Sequence, residues 1–217
     1  MSIFQTFIKN CTDIFTHPTS VATLIGLLII IIVLMRVKHI KITTKMLTQI
    51  GIALALATIL KVFRLYHLTN GGSITLGSMV PILLIAFIYG PETGFLTGLL
   101  YGLITLILDP YILHPTQVLF DYPLPFMALG IAGYFRSNKY LGTILAVLGR
   151  FICHFISGVA FFGSFAPDGM SPALYSLTVN GIFIGIEGAI CFIIIALLPI
   201  TLLTKIALNG QVSNFNS

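Results

Sequence analysis

The chain has 217 residues, 57% of them hydrophobic and only 8% charged, with a mean hydropathy of +1.06 and a formal net charge of +5. Soluble domains carry about 25% charged residues, so this composition excludes a soluble globular protein and leaves no room beside the membrane bundle for an appended catalytic domain. The positive balance does not indicate nucleic acid, because the basic residues flank apolar runs as cytoplasmic anchors do.

The first apolar run, 21–35, has no A-x-A-like cleavage site after it and reads as a retained span. It ends in the basic cluster Arg36, Lys38, Lys41 and Lys45. The second span, 46–65, is rich in small residues. Gly51 and Ala55 form one small-xxx-small pair and Ala53 and Ala57 another. Such pairs let helices approach closely, either inside this bundle or against another membrane subunit. A polar, glycine-containing loop follows at 66–78, with His67, Asn70, Gly71 and Gly72. Spans three and four, 79–89 and 93–108, meet at a tight Gly90-Pro91-Glu92 turn. After a loop with Pro110 and Pro115, the fifth span covers 118–135 and closes at Arg136-Ser137-Asn138-Lys139. The sixth is 141–162, and the seventh, 175–203, follows a Gly/Pro/Asp loop. About 20 apolar residues cross the hydrocarbon core, so the expectation is an all-α bundle of these spans.

Charge orients the bundle. With the 36–45 cluster in the cytoplasm, Arg136, Lys139 and Lys205 thread to the same side, and only Lys9 lies in a clearly external segment. The 66–78, 109–117 and 163–174 loops are then external. Asp121, Tyr175 and Asn180 fall in the outer halves of their spans, with His154 about two turns from the outer end of its own. This convergence on one depth points to a binding site. An ionisable residue in a span costs roughly 2.5–3.5 kcal/mol to insert and persists where it faces a wet cavity. Asp121 reads as the anchor of a cationic or amino-bearing ligand, or as a partner of Arg150 or a helix-start cap. Beside it, Tyr122 offers a phenol and Pro123 frees a backbone carbonyl.

His154 reads as a pH-sensing or ligand-contacting group, or as a hydrogen-bonded core histidine. Tyr175 and Asn180 are five apart, about 140° round a helix. Their ring, hydroxyl and paired amide suit a flat heteroaromatic ligand. Phe161 and Phe162 supply a stacking wall or plain packing. No P-loop GxxxxGK[ST] is present, the histidines lack ligand spacing, and Cys11, Cys153 and Cys191 form no CxxC. No enzyme activity, metal or cofactor is expected.

Four ordered blocks carry a family resemblance: Gly71-Gly72-Ser73-Ile74-Thr75-Leu76-Gly77-Ser78-Met79-Val80-Pro81-Ile82; Leu119-Phe120-Asp121-Tyr122-Pro123 with Gly130-Ile131-Ala132-Gly133; His154-Phe155-Ile156-Ser157-Gly158; and Tyr175-Ser176-Leu177 with Val179-Asn180-Gly181. Over about 46–205 the sequence resembles the thiamine-specific substrate-binding subunits (S components) of energy-coupling factor transporters. The resemblance implies a six-helix S-component bundle around an outward-facing pocket, here with one extra N-terminal transmembrane helix. It divides the chain into 1–45, a 46–205 substrate-binding domain and a 206–217 tail. It implies thiamine or a thiamine-like ligand, a transmembrane coupling subunit and two ATPase subunits as partners, a cell-membrane location in the lipid bilayer, and no nucleic acid.

Carried over by motif, Asp121 takes the place of an acidic residue that contacts the aminopyrimidine, and Tyr122, His154, Tyr175 and Asn180 fall at pocket positions. Where some members sandwich the ligand between tryptophans this chain has none; Phe162 stands at one such place and Gly72 near the other. Asn70 joins the candidate set from the same loop, which is expected to close over an occupied pocket. Asp121 is a methylene shorter than the glutamate some members carry. Gly51, Ala53, Ala55 and Ala57 correspond to the helix face that meets the coupling subunit. The other class of function is a stand-alone proton-coupled carrier for thiamine or a pyrimidine or thiazole precursor, with Asp121, His154 or Glu187 relaying the proton.

Overall fold

The computed structural model describes residues 18–67 and 72–212. Its helices are α1 (Pro18–Val37), α2 (Thr44–Val62), α3 (Val80–Tyr89), α4 (Pro91–Leu108), α5 (Pro115–Asp121), α6 (Pro123–Met127), α7 (Lys139–Phe161), α8 (Pro172–Leu197) and α9 (Ile200–Val212). A 3-10 segment, Ala128–Phe135, continues α6. Six stretches among the described residues are long and apolar enough to cross a membrane, counting 115–135 as one. The all-α membrane bundle expected from the sequence is what forms.

Three boundaries differ from expectation. The second span ends at Val62, and the supposed loop holds a small antiparallel hairpin, β1 (Arg64–His67) with β2 (Ser73–Thr75). Tyr66 pairs with Ile74 and His67 with Ser73; aromatic and β-branched residues such as Tyr66, Ile74 and Thr75 favour a pleated edge over a helix. The seventh span stops at Leu197, because Pro199 cannot continue it, and α9 restarts beyond and runs through position 206.

The fifth span is broken. Pro123 lacks an N–H and drives the residue before it out of helical geometry, so Tyr122 sits at φ −120°, ψ −77° between α5 and α6. The broken segment is seated on Gly94, Gly98 and Gly102 of α4. A Cβ on Gly98 would overlap the Phe126 carbonyl, and one on Gly102 would lie 2.6 Å from the Tyr122 oxygen. Small residues one turn apart thus let the irregular backbone lie directly on the helix.

α3 is only ten residues long, but nearly all of it is buried. It is a central post: Met79, Ile82, Leu83 and Phe87 pack there with Tyr101 and Leu129. α1 is its opposite, exposed to lipid along most of its length. It rests on α4 and α5, where Gly26 lies under Phe120 and Leu124 and Thr23 Oγ1 lies 2.7 Å from Thr116 Oγ1.

The small-residue face of α2 splits. Residues two apart are about 200° apart on a helix, so the two pairs look in opposite directions. Ala53 and Ala57 are buried in this bundle and unavailable to another subunit, whereas Gly51 and Ala55 are exposed. Basic side chains are anchored at both ends of the bundle, by carbonyls at one and by a carboxylate at the other. At one end Arg136 donates to Phe87 O (2.8 Å) and Ile88 O, and Lys139 Nζ donates to Ala196 O and Leu198 O (2.8 Å each). At the other, Lys61 and Arg64 pair with Asp109 at 3.7 and 2.8 Å.

Candidate substrate site

At the Asp109 end a cavity of about 130 Å³ opens between the hairpin and helices α4, α5, α7 and α8. It gathers Asp121, Tyr122, His154, Phe162, Tyr175, Asn180 and Gly72, seven of the eight residues singled out for the pocket. The eighth, Asn70, lies outside the described residues.

Asp121 is the last residue of α5, at the break that Pro123 imposes, so its carboxylate projects where the helix wall stops. It starts no helix, and Arg150 is not its partner. Gln117, one turn back, donates through Nε2 to Oδ2 at 2.5 Å, and His154 Nδ1 lies 3.2 Å from Oδ1. Gln117 is itself fixed, accepting the Leu113 N–H (3.0 Å) and donating to Tyr111 O (3.1 Å). The other ring nitrogen of His154, Nε2, is buried without a partner among the described residues.

Asn180 donates to His154 O (3.2 Å) and to Ser176 Oγ (3.1 Å), which spends its NH₂ on the protein. Both contacts require Gly158, where a Cβ would overlap Ser176 Oγ and lie 2.8 Å from the Asn180 amide. Phe162 stacks on Tyr111 at 5.9 Å and 23°, giving one aromatic wall, whereas Phe161 turns away to stack on His114. The Tyr122 hydroxyl is occupied: it accepts from Tyr111 N–H (2.6 Å) and donates to Asp109 O (3.0 Å). Its ring lines the cavity while its polar end ties down the 109–111 loop.

The floor is a second polar cluster, joined by residues far apart in the chain. Arg150 Nη1 lies 3.1 Å from Glu187 Oε2, and the guanidinium sits 4.8 Å above the Phe126 ring. The other Glu187 oxygen accepts from Thr75 (2.5 Å) and Ser78 (3.2 Å). Arg150 is one turn before His154 on α7, so it reaches Glu187 one layer away from Asp121. Thr75 ties the hairpin to this floor. Asp109 and Glu187 are therefore neutralised by fixed cations. Asp121, among the described residues, meets no lysine or arginine. Asp121 thus faces an amide and an imidazole, where Asp109 and Glu187 face lysine or arginine.

The profile of the thiamine transporter protein family (Thia_YuaJ) matches residues 47–207. The chain belongs to that family. A thiamine transporter ThiT of Bacillus subtilis strain 168 is 36% identical over 174 residues, 71% of this chain and 90% of that one. Another, from Lacticaseibacillus paracasei, is 30% identical over 136 residues, 53% of this chain and 68% of its relative. A crystal structure of ThiT from Listeria monocytogenes superposes with a TM-score of 0.61 at 26% identity, covering 71% of this chain and 94% of its own. The profile match begins after α1. The protein is thus a multi-pass membrane transporter of a family that is not enzymatic.

Proposed function

We propose that the chain captures thiamine, or a close thiamine-like compound, from outside the cell and delivers it inward as the substrate-binding subunit of an energy-coupling factor transporter. One observation carries the ligand reading: Asp121, with no lysine or arginine beside it, lies on the cavity wall between Gln117 and His154. Thiamine combines an aminopyrimidine that donates hydrogen bonds with a cationic thiazolium. The amino-bearing ring would dock on Asp121 and the Asn180 carbonyl, and the His154, Phe162 and Tyr175 rings would flank the flat ring faces. A hydrogen bond to a charged group is worth about 1.5–3 kcal/mol. With no ATPase motif in the chain, energy would come from a transmembrane coupling subunit and two ATPase subunits, with Gly51 and Ala55 offering the exposed small-residue contact on α2.

Titration of ligand-stripped protein in detergent with thiamine, followed by heat, tests the site. Saturable binding that weakens at least about tenfold in Asp121→Asn, at unchanged melting temperature, is expected. Equal affinity in the variant would remove Asp121 from the site.

A second reading, a proton-coupled carrier acting alone, is favoured by the Asp121–His154 pair sharing one cavity with the buried Glu187. Vesicles containing this chain alone decide between them. Uptake driven by a pH gradient would establish the carrier; uptake that appears only with coupling subunits and ATP would establish the energy-coupled subunit.

A further inference from the structure

The cationic end of the bundle holds a second and larger cavity, of about 580 Å³, between the start of α7 and α9. Arg136, Lys139 and Lys205 line it with Ser137, Asn138 and Thr201, and no carboxylate does. Two of the cations are fixed in place. Arg136 is held by the carbonyls that end α3, and Lys139 by those that end α8. Carbonyls orient a cation without cancelling its charge, and none of the three cations pairs with a carboxylate among the described residues. The N-terminus of α7, a helix of 23 residues, adds positive potential to the same space.

The surroundings identify the guest. Phe87 and Ile200 form the apolar back of the groove, and Tyr140, half exposed, stands at its lip. From there Leu141 and Ile144 on α7, and Leu197 at the end of α8, run outward as an exposed apolar wall. A free anion needs only the cations; a molecule with an anionic head and hydrocarbon tails uses both surfaces.

We propose that this groove seats the phosphate headgroup of an anionic phospholipid of the inner leaflet, with its acyl chains along α7 and α8. Basic pockets between membrane helices on the cytoplasmic side bind such heads. Seven of the chain's eleven Lys and Arg gather at this end, which places the groove at that depth. The site is distinct from the Asp121 cavity and stands whatever that cavity holds.

The test uses the full chain in micelles with equal phosphatidylglycerol and phosphatidylcholine, read by native mass spectrometry. The wild type is expected to retain phosphatidylglycerol about fivefold over phosphatidylcholine. Lys205→Glu and, separately, Thr201→Asp put a negative charge at exposed positions of the groove, and each is expected to bring the ratio close to one. Equal retention of the two lipids by the wild type, or a preference untouched by both substitutions, would overturn the proposal. Loss of the preference on adding millimolar inorganic phosphate would assign the groove to a soluble phosphate and overturn the lipid.

Discussion

Two carboxylates sit beside the same cavity and are held in opposite ways. Glu187 is almost wholly buried, at 2% side-chain exposure, and is closed in by Arg150, Thr75 and Ser78. Asp121 is 16% exposed and is flanked by an amide and an imidazole. The first arrangement satisfies the charge internally and ties α7, α8 and the hairpin together. The second sets no lysine or arginine against the carboxylate, and on the proposed reading the ligand supplies the missing charge. Removing a partner from a buried ion pair costs more stability than the pair itself contributes, because an uncompensated charge is left in low dielectric. The two carboxylates should therefore report on different properties, Glu187 on folding and Asp121 on capture.

The sharpest way to break this contrast is to remove the seat beneath it. In Gly98→Val the new side chain meets the Phe126 backbone, which cannot yield without moving the segment that ends at Asp121. Loss of the monodisperse peak in size-exclusion chromatography is expected, and a well-folded variant would show that the broken helix has another support. Next in size is Glu187→Leu. It strands Arg150 and should cost about 3–5 kcal/mol in unfolding measurements. The double change Arg150→Leu with Glu187→Leu should recover most of that loss; a double variant as unstable as the single one would mean that the cluster acts through the Thr75 and Ser78 contacts. Asp121→Asn is smaller still on the free-energy scale, and its effect should appear in thiamine affinity alone.

The bundle was legible in the sequence because lipid demands long apolar runs, and seven such runs stood out from the polar connections. The cavity was legible for a related reason: Asp121, His154 and Asn180 are costly in a span and can be seen to share a depth before any packing is known. What escaped was set by contacts distant in the chain. Nothing local says that Glu187 will meet Thr75, 112 positions away, or that Arg150 will serve Glu187 rather than Asp121. The break in the fifth span had a visible cause in Pro123. Its seat has a visible signal too, the four-residue spacing of Gly94, Gly98 and Gly102 on α4. Gln117 was also within reach, lying four residues before Asp121 on one helix face. The hairpin was hidden because its strands are too short to show a period, and it shortened α2 by three residues relative to expectation.

Tyr122 supplies the finest test of the contrast, because the sequence placed it with the ligand-binding groups and the geometry gives its hydroxyl other work. That oxygen accepts from Tyr111 N–H and donates to Asp109 O, and Tyr111 in turn stacks on Phe162. In Tyr122→Phe the ring stays and the clasp goes. The loss of two partly buried hydrogen bonds should lower stability by about 1–2 kcal/mol. Affinity should fall by less than in Asp121→Asn, because only the position of the aromatic wall is loosened. If instead melting is unchanged and affinity falls as far as in Asp121→Asn, the hydroxyl leaves the loop when ligand enters. The contrast between a wall that binds and contacts that only support it would then have to be redrawn with Tyr122 on the binding side.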